Sequence, residues 1–201
     1  MLRRSERLTN KSATKPTVCI DTSELKVDTY CGTDVTSEVV PSDEIVIFNQ
    51  DAEVPNKVIS ILEEHGMEMY LKIHGQRMKH DPTTFRHYKG LTHILNSNLP
   101  CSFYIACRDE CNDISKVLDT VVHEQDTLKL CGADYYMPRG KKLHTVHKSP
   151  SGFFTLEQFV KALCAHESKY RPLTAYGPWG EIDRSHCCFE GAHENTIFYG
   201  S

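Results

Sequence analysis

The sequence predicts an α+β fold: a mixed or mostly antiparallel sheet, about three helices and a C-terminal helix-plus-hairpin module. Three observations support this fold class. Of the 201 residues, 39% are apolar and 25% are charged, so the chain can build a substantial core. Short apolar runs, some with a period of two residues, alternate with stretches of helical period. Near the C-terminus a capped amphipathic stretch precedes two short apolar runs with a polar connection.

The first part of the chain predicts strands around one helix. Residues 17–40 predict irregular strands in "TVCI" and "LKVDTYC", and "DEIVIFNQ" at 43–50 predicts a central strand because its middle is continuously apolar. Pro55 suits the first turn of a helix, which Gly66 should end. Residues 67–75 alternate apolar and polar side chains, which is typical of a half-buried strand.

The middle of the chain predicts two more helices separated by strands. Asp81 and Pro82 have the pattern of a helix start, and the predicted helix carries Phe85 and Tyr88 and extends to Leu91–Leu95. A further helix begins at Asp113, and its predicted apolar face comprises Ile114, Val117, Leu118, Val121 and Val122. Strands are predicted in "SFYIACR" at 102–108, in 127–137 and, more weakly, in 141–148.

The C-terminal module is the part of the chain with the clearest local signals. Thr155 and Gln158 fit a capping box at the start of a helix, and Pro172 should stop it. The apolar stripe of this helix is Leu156, Phe159, Val160, Leu163 and Cys164. The runs "HCCFEG" and "NTIFYG" predict a terminal hairpin. Its inward residues should be Cys187 or Cys188, Phe189, Ile197 and Tyr199, with His186, Glu190, His193 and Glu194 facing water.

Charge divides the chain into a short arm and a large domain. Residues 1–16 hold five Lys or Arg and one Glu, which gives a net charge of +4. Because the whole chain has a net charge of −4, residues 17–201 have a net charge of −8. The arm has no hydrophobic period and is predicted to be flexible and basic. Residues 17–201 are predicted to form a single α+β domain, with a sub-boundary, if there is one, near 138–152. The acidic body argues against nucleic-acid binding over the whole surface, whereas the arm permits a local anionic contact.

Composition and motifs also limit where in the cell the protein is expected and which cofactors it could bind. The chain has no secretory signal and no run of 18 apolar residues, so we expect no membrane association and a cytoplasmic or nuclear protein, or a virion component if the protein is viral. Its nine cysteines are odd in number and irregularly spaced, which favours reduced thiols over a disulfide framework. Phosphate-binding glycine motifs are absent from the sequence, and no cofactor is expected.

The last quarter of the chain, Ser149 to Ser201, carries a recognisable combination of motifs. These are the capped helix "FTLEQFVKAL", then "WGEID", then "HCCFEG", and an ending in an aromatic residue followed by "GS". In these motifs the chain resembles an uncharacterised module found in proteins of large DNA viruses (giant viruses) and some eukaryotes. The resemblance implies a building block of viral origin and assigns no reaction or functional residue. No resemblance to a family is recognised in the rest of the chain.

A metal site is one alternative that the cysteines raise. Structural zinc sites use paired ligands two to four residues apart. "CRDEC" offers one such pair in Cys107 and Cys111, with Cys101 and Cys131 as further candidate ligands. A matching second pair is missing from the sequence, and the strand-like surroundings of Cys101 and Cys131 favour packing as small hydrophobes. We therefore expect no structural metal.

A catalytic thiol is the second alternative. On a strand His186 and Cys188 share a face, and Asp183, the preferred candidate, or Glu190 could orient the imidazole. The same segment also fits a closing hairpin with one cysteine in the core. The sequence therefore favours no catalytic residue, and this triad is the runner-up.

Candidate partner-binding residues lie in the basic N-terminal arm, in a basic stretch after an aromatic pair, and in the turn that holds the single Trp. Arginines in the arm and the basic stretch after "YYMP" can contact anionic groups, and the single Trp is a candidate interface anchor. The set is Arg3, Arg4, Arg7, Arg139, Lys141, Lys142 and Trp179.

Together these features predict a non-enzymatic structural or interaction protein, of viral origin by its resemblance, either virion-associated or host-interacting. Residues 1–16 are expected to contact a protein partner or nucleic acid, and a homo-oligomer or larger assembly is an open alternative. The other class of function is a hydrolase that depends on Cys and His or on zinc.

Overall fold

The computed structural model describes residues 36–40 (backbone only), 53–75, 81–96, 98–109, 114–132, 144–171, 186–193 and 196–200. The strands are β1 (Thr36–Val40), β2 (Met67–Ile73), β3 (Gly90–Ile94), β4 (Cys101–Cys107), β5 (Val121–His123), β6 (Thr127–Cys131), β7 (His144–Lys148), β8 (Phe154–Thr155), β9 (Cys188–His193) and β10 (Thr196–Gly200). The helices are α1 (Glu53–Glu64), α2 (Ile114–Leu118) and α3 (Leu156–Tyr170). Every strand pair in this part of the chain is antiparallel, which confirms the α+β prediction.

A five-stranded sheet in the order β10-β9-β2-β4-β3 is the centre of the fold. Strands β2 and β4 pair along their full lengths, from Met67 opposite Cys107 to Ile73 opposite Cys101. Because side chains alternate along a strand, one face of this pair is apolar and the other is polar. The buried residues of the apolar face are Met67, Met69, Leu71, Ile73, Cys101, Phe103, Ile105 and Cys107.

Helix α1 packs on the apolar face and begins and ends as its sequence predicts. Val58 and Leu62 are fully buried against the sheet. Gly66 follows the last turn with a φ of 62°, a backbone conformation that favours glycine, and its N–H bonds to the carbonyl of Glu63 at 3.0 Å. This turn leads directly into β2.

Helix α3 covers the same face and confirms the predicted capping box. The Gln158 N–H donates to the Thr155 hydroxyl at 3.3 Å, and the Thr155 N–H donates to the Gln158 side-chain oxygen at 2.8 Å. The predicted apolar stripe is buried throughout. Phe159 contacts Phe189 of the C-terminal hairpin, with ring centroids 6.0 Å apart, so helix and hairpin share one core.

The predicted terminal hairpin is present as β9 and β10. Its buried residues, Cys187, Phe189, Ile197 and Tyr199, are those that alternation placed inward, whereas Cys188 is only half-buried. A second sheet has the order β1-β7-β6, and a two-stranded ladder joins β5 to β8. Leu128 of β6 and Phe154 of β8 belong to the same buried cluster as β2 and β4.

A polar cluster inside the core joins α3 to β7 and β10. The Thr145 hydroxyl lies 2.8 Å from Nε2 of His147 and 2.6 Å from Nδ1 of His166, and all three residues are fully buried. The next residue of α3, Glu167, accepts hydrogen bonds from Arg171 at 2.6 Å and from the Tyr199 hydroxyl at 3.0 Å. These bonds satisfy polar groups that would otherwise be costly to bury.

Two predicted helices are wrong in extent or type. Pro82–Thr84 forms a single 3₁₀ turn rather than a long helix, and residues 90–94 form β3. Asp81 does cap this turn, with its side chain accepting from the Thr83 N–H, so the capping signal was real but encoded one turn only. Helix α2 ends at Leu118, and Val121 lies in β5, because β-branched residues at helical spacing also suit a strand.

Several predictions lie outside the described residues. These are the arm at 1–16, the strands within 17–31 and at 43–50, and the part of the predicted 127–137 strand beyond Gly132. In the part of the chain that the structure describes, no helix is long and apolar enough to cross a membrane.

Candidate functional site

The polar face of the five-stranded sheet brings together titratable side chains from β2, β3, β4 and β9. Alternation along β2 places Glu68, Tyr70, Lys72 and His74 on this side, opposite the buried apolar face. Pairing then adds side chains from the neighbouring strands: Ser102, Tyr104 and Ala106 of β4, Leu91 and His93 of β3, and Cys188 of β9. Residues distant in sequence therefore meet on one surface.

Two histidines share one serine at the end of this face. The Ser102 hydroxyl lies 3.0 Å from Nε2 of His74 and 2.9 Å from Nε2 of His93. A hydroxyl has one proton to donate, so it can donate to one ring and accept from the other. Burial, then His74, then Lys72 lower the pKa of His93 below its ordinary value. Ser102 is fully buried, so it orients the two imidazoles rather than meeting a ligand.

Beside the histidines, Lys72 forms an ion pair with Asp81. Asp81 also accepts hydrogen bonds from the N–H and hydroxyl of Thr83, at 3.1 and 2.6 Å. Burial alone would raise the pKa of Asp81, but the bonds from Lys72 and Thr83 outweigh it and lower that pKa. The ion pair fixes the start of the 81–89 segment on the sheet.

Glu68 is the centre of a second polar cluster. Its carboxylate accepts hydrogen bonds from the hydroxyls of Tyr70, at 2.5 Å, and Tyr88, and pairs with Arg108. Burial alone would raise the pKa of Glu68, but the donors outweigh it and lower that pKa. Burial and the bond to Glu68 raise the pKa of Tyr88 to about 12. The carboxylate is therefore held ionised by neutral phenols and a guanidinium, which is a structural rather than an acid–base arrangement.

Aromatic rings cover the β2 part of the face. Phe85 and Tyr88 pack edge-on against Tyr70, with centroids 6.3 and 6.2 Å away, and His87 stacks on Phe85. His93 stacks on Tyr104 with centroids 4.2 Å apart. These rings are rigid because each contacts another ring or a hydrogen-bonding partner.

The β3–β4 part of the face is open to solvent. Leu91 and Leu95 are 43% and 46% exposed, His74 and His93 are exposed, and Tyr104 is half-buried. We call Leu91, His93, Tyr104 and His74 the open face. Arg86, His87 and Lys89, all exposed, border it. Helices α1 and α3 pack against the opposite side of the sheet, so they leave the open face uncovered.

The structure does not bring the candidate zinc ligands together. Cys101 and Cys107 lie at opposite ends of β4, and a strand rises about 3.3 Å per residue, which separates them by roughly 20 Å. Both are buried with Cys131 in the core, and Cys111 lies outside the described residues. Within the described ranges, no group of three or more His, Cys, Asp or Glu could hold a metal ion.

The candidate thiol lies beside acids and a phenol. Cys188 is half-buried, directly opposite Tyr70 in the ladder. Burial, then Glu68, Glu190 and Cys187 raise the pKa of the Cys188 thiol to about 12. A protonated thiol is a weak nucleophile, so this environment does not favour catalysis. His186 is half-buried, and Asp183 lies outside the described residues.

The partner-binding candidates Arg3, Arg4, Arg7, Arg139, Lys141, Lys142 and Trp179 also lie outside the described residues. Sequence reasoning missed the open face. The polar positions of 67–75 were recognised as one side of a strand, but their meeting with Ser102 and His93 depends on strand register, which local sequence does not reveal.

Comparison with known proteins adds no relative: no family model, curated protein or solved structure matches the chain.

Proposed function

We propose that this chain is a non-enzymatic interaction protein that docks a protein partner through the open face of its five-stranded sheet. The observation that carries this proposal is the exposure of Leu91 and of His93, which stacks on the half-buried Tyr104, with the exposed Leu95 beside them. Aromatic and apolar anchors with a polar surround are typical of protein interfaces. Strand β3 is also at the edge of its sheet among the described strands, which adds backbone groups for pairing with a partner.

A protein partner fits this surface better than nucleic acid. The four residues of the open face include no Lys or Arg, and Lys72 and Arg108 are compensated by Asp81 and Glu68, so the exposed Arg86 and Lys89 at its border are the cations that phosphates would meet there. The basic arm, residues 1–16, would supply a separate contact to an acidic region of a partner or to nucleic acid. The resemblance of residues 149–201 to a giant-virus module supports a virus-encoded protein, virion-associated or host-interacting.

The alternative of a hydrolase has less support. The Cys188 pKa is raised rather than lowered, and the Ser102 hydroxyl is buried beneath its two imidazoles. Neither group has the accessibility and the protonation state that a nucleophile needs.

The test is selection of partner peptides from a random phage-displayed library. The double variant Leu91→Ser, Tyr104→Ser removes two side chains of the open face. The control is Phe153→Ser, which removes an exposed aromatic side chain outside the five-stranded sheet. We expect enriched peptides to bind wild type and the control equally and the double variant at least tenfold more weakly, at a temperature where far-ultraviolet circular dichroism shows all three proteins folded.

Equal binding to the double variant would refute docking at the open face. Single-stranded DNA and RNA oligonucleotides are titrated in parallel. If an oligonucleotide binds tightly and loses affinity only in the double variant, the partner is a nucleic acid and the proposal of a protein partner is wrong.

A further inference from the structure

The five-stranded sheet splits between β2 and β9. These strands share one register pair, Tyr70 with Cys188, and the Leu71 N–H bonds to the carbonyl of Cys187 at 2.8 Å. Continued pairing would place Glu68 opposite Glu190, but the ladder stops at that single pair. We call the space between β2 and β9 beyond this pair the wedge.

The wedge is held open by contacts between β9 and α1. Gly191 has a φ of 91°, which favours glycine, and a Cβ at this position would lie 2.5 Å from Oδ1 of Asn56. The same amide oxygen accepts the Ala192 N–H at 2.8 Å. Strand β9 is therefore bound to the helix rather than to β2 at this point.

A pocket of about 520 Å³ occupies the wedge. This volume is within the range of small-ligand sites. The pocket has an apolar floor and a polar mouth. The floor consists of Ile59, Leu62, Met67, Met69 and Phe189, and the mouth consists of Glu63, Glu68, Arg108, Cys188 and Glu190.

The mouth is acidic. It carries three carboxylates, Glu63, Glu68 and Glu190, and one guanidinium, Arg108, for a net charge of −2 at neutral pH. Arg108 pairs with Glu68, so Glu63 and Glu190, both exposed, dominate the field at the entrance. Negative charge above an apolar floor is complementary to a cation on an aliphatic stem.

We infer that the wedge pocket receives an arginine or lysine side chain of the docked protein partner, with its aliphatic stem on the apolar floor and its cation at the carboxylates of the mouth. This inference rests on the proposed function, because it assigns a chemistry to the partner that the open face binds. Arg108, Glu68 and Tyr88 connect the pocket mouth to the 81–89 segment, which borders the open face, so one partner can reach both.

The experiment compares two peptides by NMR titration of ¹⁵N-labelled protein. Acetyl-GGRGG-amide carries the cation, and the citrulline analogue has the same shape without charge. We expect the arginine peptide to shift amides of residues 66–69 and 188–190 and to bind at least fivefold more tightly than the citrulline peptide.

Three variants test the role of the mouth. Glu190→Gln removes the charge of this carboxylate. Gly200→Ala keeps the charge but displaces the carboxylate, because a Cβ on Gly200 would lie 1.9 Å from Oε1 of Glu190. Each should weaken the arginine peptide at least threefold. Glu157→Gln, on the exposed side of α3, is the matched control and should leave its affinity unchanged.

Equal affinity for the two peptides, or shifts confined to other regions, would overturn the inference. The open-face double variant should bind the arginine peptide as wild type does. Retained binding in that variant supports the pocket even if no library peptide binds the open face, so the two proposals can fail separately.

Discussion

Cys188 shows how one environment decides between a reactive and an inert thiol. Burial and the nearby Glu68 and Glu190 raise its pKa to about 12. Reactive cysteines instead lie beside cations or helix N-termini, which lower the thiol pKa. The neighbours of Cys188 therefore favour the protonated thiol, which is the weaker nucleophile.

We predict that iodoacetamide alkylates Cys188 at pH 8 on the order of a thousandfold more slowly than a free cysteine with a pKa near 8.5, because the thiolate fraction is lower by that factor. Residue-resolved mass spectrometry over a time course measures the rate. Glu190→Gln should accelerate it by removing a nearby negative charge. Rapid alkylation of wild-type Cys188 at pH 7 would contradict this prediction and revive the thiol hydrolase.

His166 is a second residue whose burial has a measurable consequence. Burial, then Arg171, His144 and Lys169, lowers its pKa from an ordinary 6.5 to about 3. Between these two values the unfolded chain binds a proton that the folded chain does not. Stability contributed by the neutral ring is therefore lost as the pH falls from about 6.5 towards 3.

When the pH is lowered from 7.5 to 5, we expect the free energy of unfolding to fall by about 2 kcal/mol because His166 is protonated in the unfolded chain and not in the folded one. Urea denaturation at both pH values measures the loss in wild type and in His166→Gln, which should show a smaller loss. His193→Gln, at an exposed position, is the control and should behave as wild type. If His166→Gln loses as much stability as wild type, the ring is not buried and neutral.

At the scale of elements, an aromatic contact joins α3 to the C-terminal hairpin. Phe159 is fully buried and meets Phe189 of β9, so it packs the helix on the hairpin. Phe159→Ala should lower the free energy of unfolding by about 3–5 kcal/mol, through lost burial and a residual cavity. Lys161→Ala removes only a surface ion pair with Glu157 and should cost less than about 0.5 kcal/mol. Similar costs for the two variants in urea titration would show that the helix packs differently.

The elements that the sequence predicts well have strong local signals. Helix α3 has a capping box and a continuous apolar stripe, and β2 has a strict alternation of seven residues. The terminal hairpin has two apolar runs with a short connection. In each case the local preference agrees with the tertiary structure, so propensity and packing lead to the same answer.

Elements with ambiguous signals were mispredicted for physical reasons. After Asp81 and Pro82, the rings of Phe85 and Tyr88 gain more by covering Tyr70 on the sheet than by lining a helix. Residues 90–94 then pair with β4, a long-range interaction that local periodicity does not report.

The candidate sites were less predictable than the fold. Ser102 meets His74 and His93 only because β2, β4 and β3 pair in one register. The wedge pocket lies where the pairing of β2 with β9 stops after a single pair and Gly191 of β9 contacts α1 instead. Such features arise from strand register and from the point where two strands stop pairing. Neither can be predicted from the local sequence, because both are set by contacts between residues that are distant in the chain.

For the molecule as a whole, the central question is whether the described residues unfold as one unit. A sub-boundary near 138–152 would cut through β7, yet β7 pairs with both β1 and β6. The hydrophobic core is a single cluster that includes Leu71 of β2, Leu130 of β6, Phe154 of β8 and Ile197 of β10. Elements on both sides of that boundary therefore share buried surface.

Because the core is shared, we predict a single cooperative unfolding transition in which secondary and tertiary structure are lost together. Far-ultraviolet and near-ultraviolet circular dichroism should give coincident urea curves with one midpoint. Phe159→Ala should shift both curves equally, since the ring connects α3 to the hairpin. A near-ultraviolet transition well before the far-ultraviolet one, or a variant that shifts only one curve, would mean that the C-terminal module is a separate unit whose contacts with the sheet contribute little to stability.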